Sequence, residues 1–245
     1  MPDVDRERSF LTMPNPVSVR YFKTSPETIQ LAVMLYVRFP LSLRNVEDGL
    51  HERGVDVSYG FVRYGRHRFG CQFASQIKKR RAGGMQSSNW KWHLDEVFVK
   101  INGERHYLWR AVDHEGEVLE SYVTKKRDRK AALKFMKKAM RRFGSPNKIV
   151  TDRLRSYSAA AKELGCADKQ VTQRWANNRA ENSHLPFRRR ERAMLRFRRM
   201  HSLQKFASIH ASFHNLFNSQ RSLSTRSTFK LKRDAALTEW RSLLI

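Results

Sequence analysis

Three acidic residues of this chain stand where side-chain oxygens could hold metal ions. Asp95 interrupts the apolar run WHLDEVFVK, Asp152 ends the run KIVTD, and Glu181 precedes a dense group of arginines. Phosphoryl transfer with two metal ions needs hard oxygen ligands that converge from separate elements, so that two magnesium ions are held about 4 Å apart. The three acids fit a site for two Mg²⁺ ions, with Mn²⁺ as a substitute.

A structural role for the same acids stays open. Asp95 and Asp152 could form turns or cap helices, and Glu181 could pair with Arg179 or Arg188 on a solvated helix face. Alternation along a strand also sends Asp95 and Glu96 to opposite faces of a sheet. Only one of these two neighbours can therefore join a given site.

The helix expected around Glu181 is rich in arginine. Eight arginines and two glutamates occur in residues 179–199. On a continuous helix, side chains three and seven positions after Glu181 share its face. Pro186 lacks a backbone N–H and predicts a kink or a delayed start of the helix just after Glu181. We interpret the basic residues of this helix as DNA contacts: Arg179, His184, Arg188, Arg189 and Arg190.

The elements that would position these residues begin at Trp92. Three strands joined by tight turns are predicted first, and Asn102-Gly103 is a strong hairpin signal. Asp128 can cap a helix, KIVTD and KQVT indicate two further strands with a helix between them, and a long amphipathic helix follows. This order predicts a ribonuclease H-like α/β fold, which is a mixed five-stranded sheet flanked by helices.

Three short helices are predicted before the sheet. Ser42 and Ser58 can cap the second and third. Such a small all-helical module is typical of a helix-turn-helix DNA-binding unit, and also of ordinary helical bundles. Gly60 and Gly65 each cost about 1 kcal/mol of helix propensity and predict a weak or broken third helix. The basic residues that this helix would present to DNA are Arg63, Arg66, His67 and Arg68.

The expected domain organisation has five parts. They are an N-terminal arm (1–25), the helix-turn-helix module (26–70), a basic linker (71–91), the ribonuclease H-like catalytic domain (92–220) and a C-terminal tail (221–245).

The charge balance indicates a polyanionic partner. The 245 residues include 49 lysines and arginines against 23 aspartates and glutamates, a formal net charge of +26. Neutralising phosphates releases counterions and supplies affinity for nucleic acid of any sequence. A membrane surface fits less well, because the basic residues recur along the chain and the longest apolar run, 31–37, is too short to span a bilayer. We therefore expect a cytoplasmic protein that binds DNA and no membrane.

Three sequence blocks, in order, resemble a known family. HLDEVFVKINGERHYLWRAVDHEGEVLESYVTKKRD, KIVTD and NNRAENSH are similar to the DDE transposases of bacterial insertion sequences of the IS-six (IS6) family, over roughly residues 26–220. The resemblance implies a magnesium-dependent enzyme that nicks element ends and joins the freed 3′ hydroxyl to target DNA. It also implies that Asp95, Asp152 and Glu181 form the catalytic triad, and that Arg188 is the basic residue two turns after the glutamate.

The resemblance further implies the partners and the place of action. These are double-stranded DNA, as terminal inverted repeats and target, and other copies of the chain in a dimer or higher oligomer at the nucleoid. Two other functions stay open. A catalytically inactive DNA-binding remnant could repress transcription at element ends, and a ribonuclease H-like nuclease or resolvase would hydrolyse branched DNA without joining strands.

Overall fold

The computed structural model describes residues 17–18, 22–86, 91–173, 176–194, 197–219 and 224–244, with the backbone alone for 82–86. Most of the expected N-terminal arm, residues 1–25, lies outside the described residues. Within these ranges, a helical region is followed by a mixed sheet and further helices.

Three helices come first, as the sequence predicts: α1 (Pro26–Arg38), α2 (Leu43–His51) and α3 (Tyr59–Arg68). The side chain of Ser42 accepts a hydrogen bond from the Asn45 N–H, and the Asn45 side chain accepts one from the Ser42 N–H. The Ser58 side chain accepts a hydrogen bond from the Phe61 N–H at the start of α3. These caps pair backbone donors that the first turn of a helix otherwise leaves unpaired.

Helix α3 is continuous, so the prediction of a broken third helix is wrong. Val62 and Gly65 are buried, and a Cβ atom added to Gly65 would lie 3.6 Å from Val33 of α1. Packing against α1 therefore offsets the low helix propensity of glycine, since tertiary contacts supply most helical stability in proteins.

A fourth helix, α4 (Gly70–Gln86), occupies most of the segment expected to be a linker. Phe73, Ala74 and Ile77 are buried, and their spacing of one and four positions forms an apolar stripe on a helix. The linker prediction is therefore wrong for this stretch, because basic residues cover only the exposed side of a packed helix.

The sheet begins with three antiparallel strands: β1 (Lys91–Ile101), β2 (Glu104–Asp113) and β3 (Val118–Thr124). Asn102 and Gly103 join β1 to β2 with φ angles of 50° and 86°. Positive φ at both central residues is the geometry that favours Asn-Gly in two-residue hairpins. The hairpin prediction is confirmed.

Alternating helices and strands follow in the predicted order: α5 (Arg129–Phe143), β4 (Lys148–Val150), α6 (Arg155–Glu163), a 3₁₀ turn (Ala167–Lys169) and β5 (Gln170–Val171). Asp128 caps α5 by accepting a hydrogen bond from the Ala131 N–H. The strand order is β3-β2-β1-β4-β5, with β4 parallel to β1 and β5 parallel to β4. This topology confirms the predicted ribonuclease H-like fold.

Three helices complete the chain: α7 (Asn178–Ala193), α8 (Met200–Phe217) and α9 (Arg226–Arg241), with a final 3₁₀ turn (Ser242–Leu244). Helix α7 begins before Glu181 and continues through Pro186, so the proline does not delay it. Helix α9 lies in the segment expected to be a tail. Its Trp240 is buried against Phe73, Phe213 and Phe217, so this segment contributes to the core.

The sheet separates two apolar cores. Trp92, Leu94 and Trp109 pack on one face with α5 and α6. Val99 and Leu108 pack on the other face with α7 and α8, and this core continues into α1–α4 and α9. The helical region and the sheet are therefore joined by one continuous core. None of the helices in the described parts of the chain is both long and apolar enough to cross a membrane.

Candidate active site

Asp95 and Glu96 lie near the middle of β1 and point to opposite faces of the sheet. The Asp95 Oδ2 atom is 3.4 Å from Nε2 of His184 on α7. Glu96 interacts instead with Tyr157 of α6 and with Arg127, which precedes α5. The alternation predicted for these neighbours is therefore observed, and Asp95 is the acid that faces α7.

Asp95 is held in an environment that disfavours its charge. Its side chain is 14% exposed, and burial raises its pKa to about 7, with a further increase caused by the charge of Asp152. Arg127 acts in the opposite direction and lowers this pKa. An acid whose pKa is raised by burial and by a second carboxylate is a recognised feature of functional sites, because a bound cation can relieve the repulsion.

Asp152 reaches the same region from the next strand. His93 of β1 pairs with Val150 of β4 in parallel register, so the residues that follow Val150 leave the sheet beside Asp95. The Asp152 Oδ1 atom accepts a hydrogen bond from the Leu154 N–H at 3.0 Å. Asp152 thus forms a turn as well, and its other oxygen, Oδ2, interacts with Arg127.

Arg127 provides the cation nearest to these acids among the described ion pairs. Its Nε donates to Glu96 at 2.5 Å, and its Nη2 lies 3.5 Å from Oδ2 of Asp152. Burial raises the pKa of Glu96 to about 7, although Tyr157 and Arg127 lower it. No local pattern indicated this role for Arg127, because the contact depends on how the loop after β3 packs across β1.

Glu181 is placed by the start of α7. The Asn177 side chain donates a hydrogen bond to the Leu94 carbonyl at 2.8 Å, which fixes the beginning of α7 beside β1. One turn later, Glu181 is exposed and lines a cavity of about 450 Å³ together with Asp152. It forms no ion pair with Arg179 or Arg188 in the described structure, so the solvated pairing that the sequence left open is not observed.

The three acids fit a magnesium site in the type of ligand that they offer. Asp95 and Asp152 interact electrostatically, and Asp152 shares a cavity with Glu181. Carboxylate oxygens are the ligands that Mg²⁺ takes in proteins. Among the described residues, no three His, Cys, Asp or Glu side chains are already grouped as a metal site. The structure thus brings the predicted residues to one region without closing them into a cluster.

The predicted shared face of α7 lies along β1. His184 faces Asp95 and is 3% exposed, so it is not available to DNA in this conformation. Burial, together with the charges of Arg110 and Arg188, lowers the pKa of His184 well below its usual value. Arg188 is bound to Glu191 at 2.6 Å and donates to the Phe98 carbonyl at 2.5 Å.

The other basic residues predicted to contact DNA fall into two groups. Arg190 is 1% exposed, donates to the Tyr36 carbonyl at 2.5 Å, and lies over the Tyr36 ring. Arg66 is partly buried above the same ring at 5.2 Å. These two arginines connect α7 and α3 to α1. The residues with accessible side chains are Arg63, His67, Arg68, Arg179 and Arg189.

Arg110 is a buried cation that the sequence analysis missed. It lies opposite Asp95 in the β1–β2 pairing, is fully buried, and donates to the Ser183 carbonyl of α7 at 2.5 Å. Burial lowers its pKa to about 10. Its position in a strand interior, where an apolar residue is expected, was the available signal, and it is the same signal that identified Asp95.

Comparison with known proteins gives consistent matches. A family model described as a DDE domain matches residues 89–220. The transposase for insertion sequence-like element IS431mec of Staphylococcus aureus is 34% identical over 173 residues, which is 67% of this chain and 74% of that protein. The transposase for insertion sequence element IS257 in transposon Tn4003 of S. aureus is 33% identical with the same coverage.

Solved structures give a weaker match. The HTLV-2 integrase catalytic core domain in complex with magnesium (dimeric form) matches 58% of this chain and 96% of its own, with 19% identity and a TM-score of 0.40. The family assignment rests on the sequence matches, because the DDE domain spans more than half of the chain and the curated relatives are matched over about three quarters of their length. The chain belongs to the IS6 family of DDE transposases, which are polynucleotidyl transferases of bacterial insertion sequences.

Proposed function

We propose that this transposase nicks the ends of its insertion sequence in the presence of magnesium and joins the freed 3′ hydroxyl to target DNA. Asp95, Asp152 and Glu181 are the proposed metal-binding triad. The observation that carries this proposal is the proximity of the acids: Asp95 lies on β1 beside β4, which leads to Asp152, and Asp152 lines one cavity with Glu181. The raised pKa of Asp95, caused by burial and by Asp152, supports it.

Each acid contributes a carboxylate from a separate element. Asp95 and Asp152 approach from adjacent strands, and Glu181 approaches from a helix whose start is tied to β1 through Asn177. When bound, magnesium would neutralise the charge of the phosphate and stabilise the negative charge on the attacking and leaving oxygens. The side chains of the protein hold and orient the acids, and Mn²⁺ would satisfy the same oxygen ligands. No protein nucleophile is required, because water and then a 3′ hydroxyl attack the phosphorus.

The proposed DNA contacts are the accessible basic residues. On α3, Arg63, His67 and Arg68 are exposed and are proposed to bind double-stranded terminal repeats. On α7, Arg179 and Arg189 are proposed to hold DNA beside the acids. We further propose a homo-oligomer, a dimer or higher, that brings two element ends together at the nucleoid of a bacterial cytoplasm.

The decisive experiment is a strand-transfer assay with purified protein, labelled element-end DNA, plasmid target and Mg²⁺. The proposal expects Asp95→Asn, Asp152→Asn and Glu181→Gln each to abolish nicking and joining while DNA binding is retained. Glu115→Gln is the matched control, because Glu115 is an exposed acid in the β2–β3 turn. Full joining activity in Asp152→Asn would contradict the proposal.

The same assay separates the two alternatives. Footprinting of element ends without any metal-dependent nicking would identify a DNA-binding remnant. Nicked products without covalent union of donor and target would identify a nuclease or resolvase. The continuous third helix removes the structural reason for expecting a defective DNA-binding module.

A further inference from the structure

A large cleft adjoins the cavity that holds Asp152 and Glu181. Its volume is about 1060 Å³, and it is bounded by the start of β1, the β2–β3 turn, α7 and the end of α8. We call it the basic cleft and define it by Lys91, His93, His114, Arg179, Leu185 and Arg189. Asn178 lines both the basic cleft and the acid-bearing cavity, so the two lie side by side at the start of α7.

The charge of the basic cleft differs from that of the neighbouring cavity. Lys91, Arg179 and Arg189 contribute three cations, and the part of the lining that the structure describes contains no Asp or Glu. By contrast, Asp152 and Glu181 line the neighbouring cavity. The first turns of α7 therefore separate a region suited to metal ions from a region suited to phosphates.

Within the described part of the chain, the three cations of the basic cleft have no carboxylate partner. None of them forms an ion pair with a carboxylate within the described ranges, whereas Arg188 pairs with Glu191 and Arg127 pairs with Glu96. A cluster of cations without internal partners raises the local positive potential and attracts a polyanion. The fold thus leaves these three side chains available to an external ligand.

The lining of the cleft favours an unpaired DNA strand. Leu185 is 51% exposed and lines the cleft, as does His114. Apolar and imidazole surfaces are the kind against which unpaired bases stack.

We propose that the basic cleft binds the unpaired DNA strand that flanks the scissile phosphate, with its phosphates on Lys91, Arg179 and Arg189 and its bases against His114 and Leu185. The position next to the scissile phosphate rests on the proposed function, whereas the binding of a single strand does not. The cleft is a binding site for the substrate and takes no part in the chemical step.

Fluorescence anisotropy with the full chain and a short fluorescein-labelled oligothymidylate in EDTA tests the binding. For single strands, the logarithm of affinity falls with the logarithm of salt concentration by about 0.7 for each phosphate contact. Lys91→Gln, Arg179→Gln and Arg189→Gln should each weaken binding and reduce this slope by about that amount. Arg192→Gln is the matched control, because Arg192 is an exposed arginine of α7 outside the cleft.

The location is tested by photo-crosslinking the same oligonucleotide, with one thymine replaced by 4-thiothymine, and by mapping the modified peptides. Crosslinks to the peptides that contain His114 or Leu185 are expected. Unchanged slopes in all three cleft variants would overturn the inference, and so would a loss confined to duplex DNA of equal length. Asp152→Asn should bind the oligonucleotide at least as well as the parent, so failure of the catalytic proposal would leave this result intact.

Discussion

Replacing Asp95 with asparagine should stabilise the metal-free protein, although it removes a proposed metal ligand. The pKa of Asp95 is raised from 3.8 to about 7, first by burial and then by the charge of Asp152. A carboxyl group with a raised folded-state pKa favours folding at low pH, and this contribution is lost as the pH rises from the unfolded to the folded pKa. Above pH 7 the ionised Asp95 therefore opposes folding.

The size of this effect follows from the shift. About 3 pKa units at 1.36 kcal/mol each give about 4 kcal/mol as an upper limit. Asparagine has nearly the same shape and no charge, so Asp95→Asn should raise the free energy of unfolding by roughly 2 to 4 kcal/mol at pH 8. At pH 5 the parent still keeps part of the stability that protonated Asp95 provides. The gain in free energy of unfolding from Asp95→Asn should therefore be smaller by about 2 kcal/mol at pH 5 than at pH 8.

Urea denaturation in EDTA, followed by tryptophan fluorescence at pH 5 and pH 8, measures both differences. Magnesium should then stabilise the parent and leave the variant unchanged, because a ligand stabilises only a fold that binds it. Glu115→Gln controls for the loss of any exposed acid. If Asp95→Asn is no more stable than the parent at pH 8 without metal, the electrostatic account of the site is wrong.

Three further predictions concern the fold. Trp240→Ala should lower the free energy of unfolding by about 3 to 5 kcal/mol, because the Trp240 side chain of α9 is buried in the apolar core. A loss below about 1 kcal/mol in denaturant titration would contradict this role. Gly103→Ala should cost about 1 kcal/mol in the same titration, because Gly103 has a φ of 86°. Burial and Arg110 lower the pKa of His214 to about 4, so its contribution to stability is present above pH 6.5 and is lost as the pH falls toward 4. His214→Gln should therefore flatten the loss of stability over this range, and an unchanged acid profile would count against a buried neutral imidazole.

The fold was predictable where the signal is local. Asn102-Gly103 specifies a hairpin because few other residue pairs adopt positive φ at both positions. Asp128 specifies a helix start because its side chain can accept a hydrogen bond from the first turn. Even the two-residue strand β5 was indicated, by the run KQVT.

The fold was mispredicted where local charge or low helix propensity outweighed the apolar pattern in the interpretation. Basic residues of α4 suggested a linker, although Phe73, Ala74 and Ile77 already formed a helical stripe. Gly65 suggested a broken α3, although it packs close to Val33. In both places, contacts with distant elements decide the outcome, and a local count of charge or propensity does not contain them.

The acids of the site were predictable by position, and their surroundings were not. Asp95 stands out because a strand interior rarely holds a carboxylate, and Asp152 stands out because it lies where the chain leaves a strand, the place where ligands collect in alternating sheets. Helical spacing placed His184 on the face of Glu181, but spacing alone does not tell which part of that face is buried. Only the packing of α7 on β1 shows that His184 contacts Asp95.

Asp95 and Asp152 still repel each other in a chain with a net charge of +26, because most arginines near them bind other groups. Three arginines near α7 are bound elsewhere: Arg110 to the Ser183 carbonyl, Arg188 to Glu191, and Arg190 to the Tyr36 carbonyl. Arg127 reaches Asp152, but its shorter contact is to Glu96 on the opposite face of β1. Burial, and then the charge of Asp152, therefore keep the pKa of Asp95 raised, and a divalent cation would lower it. This separation of accessible cations from the three acids is the one that the proposed phosphoryl transfer on DNA requires.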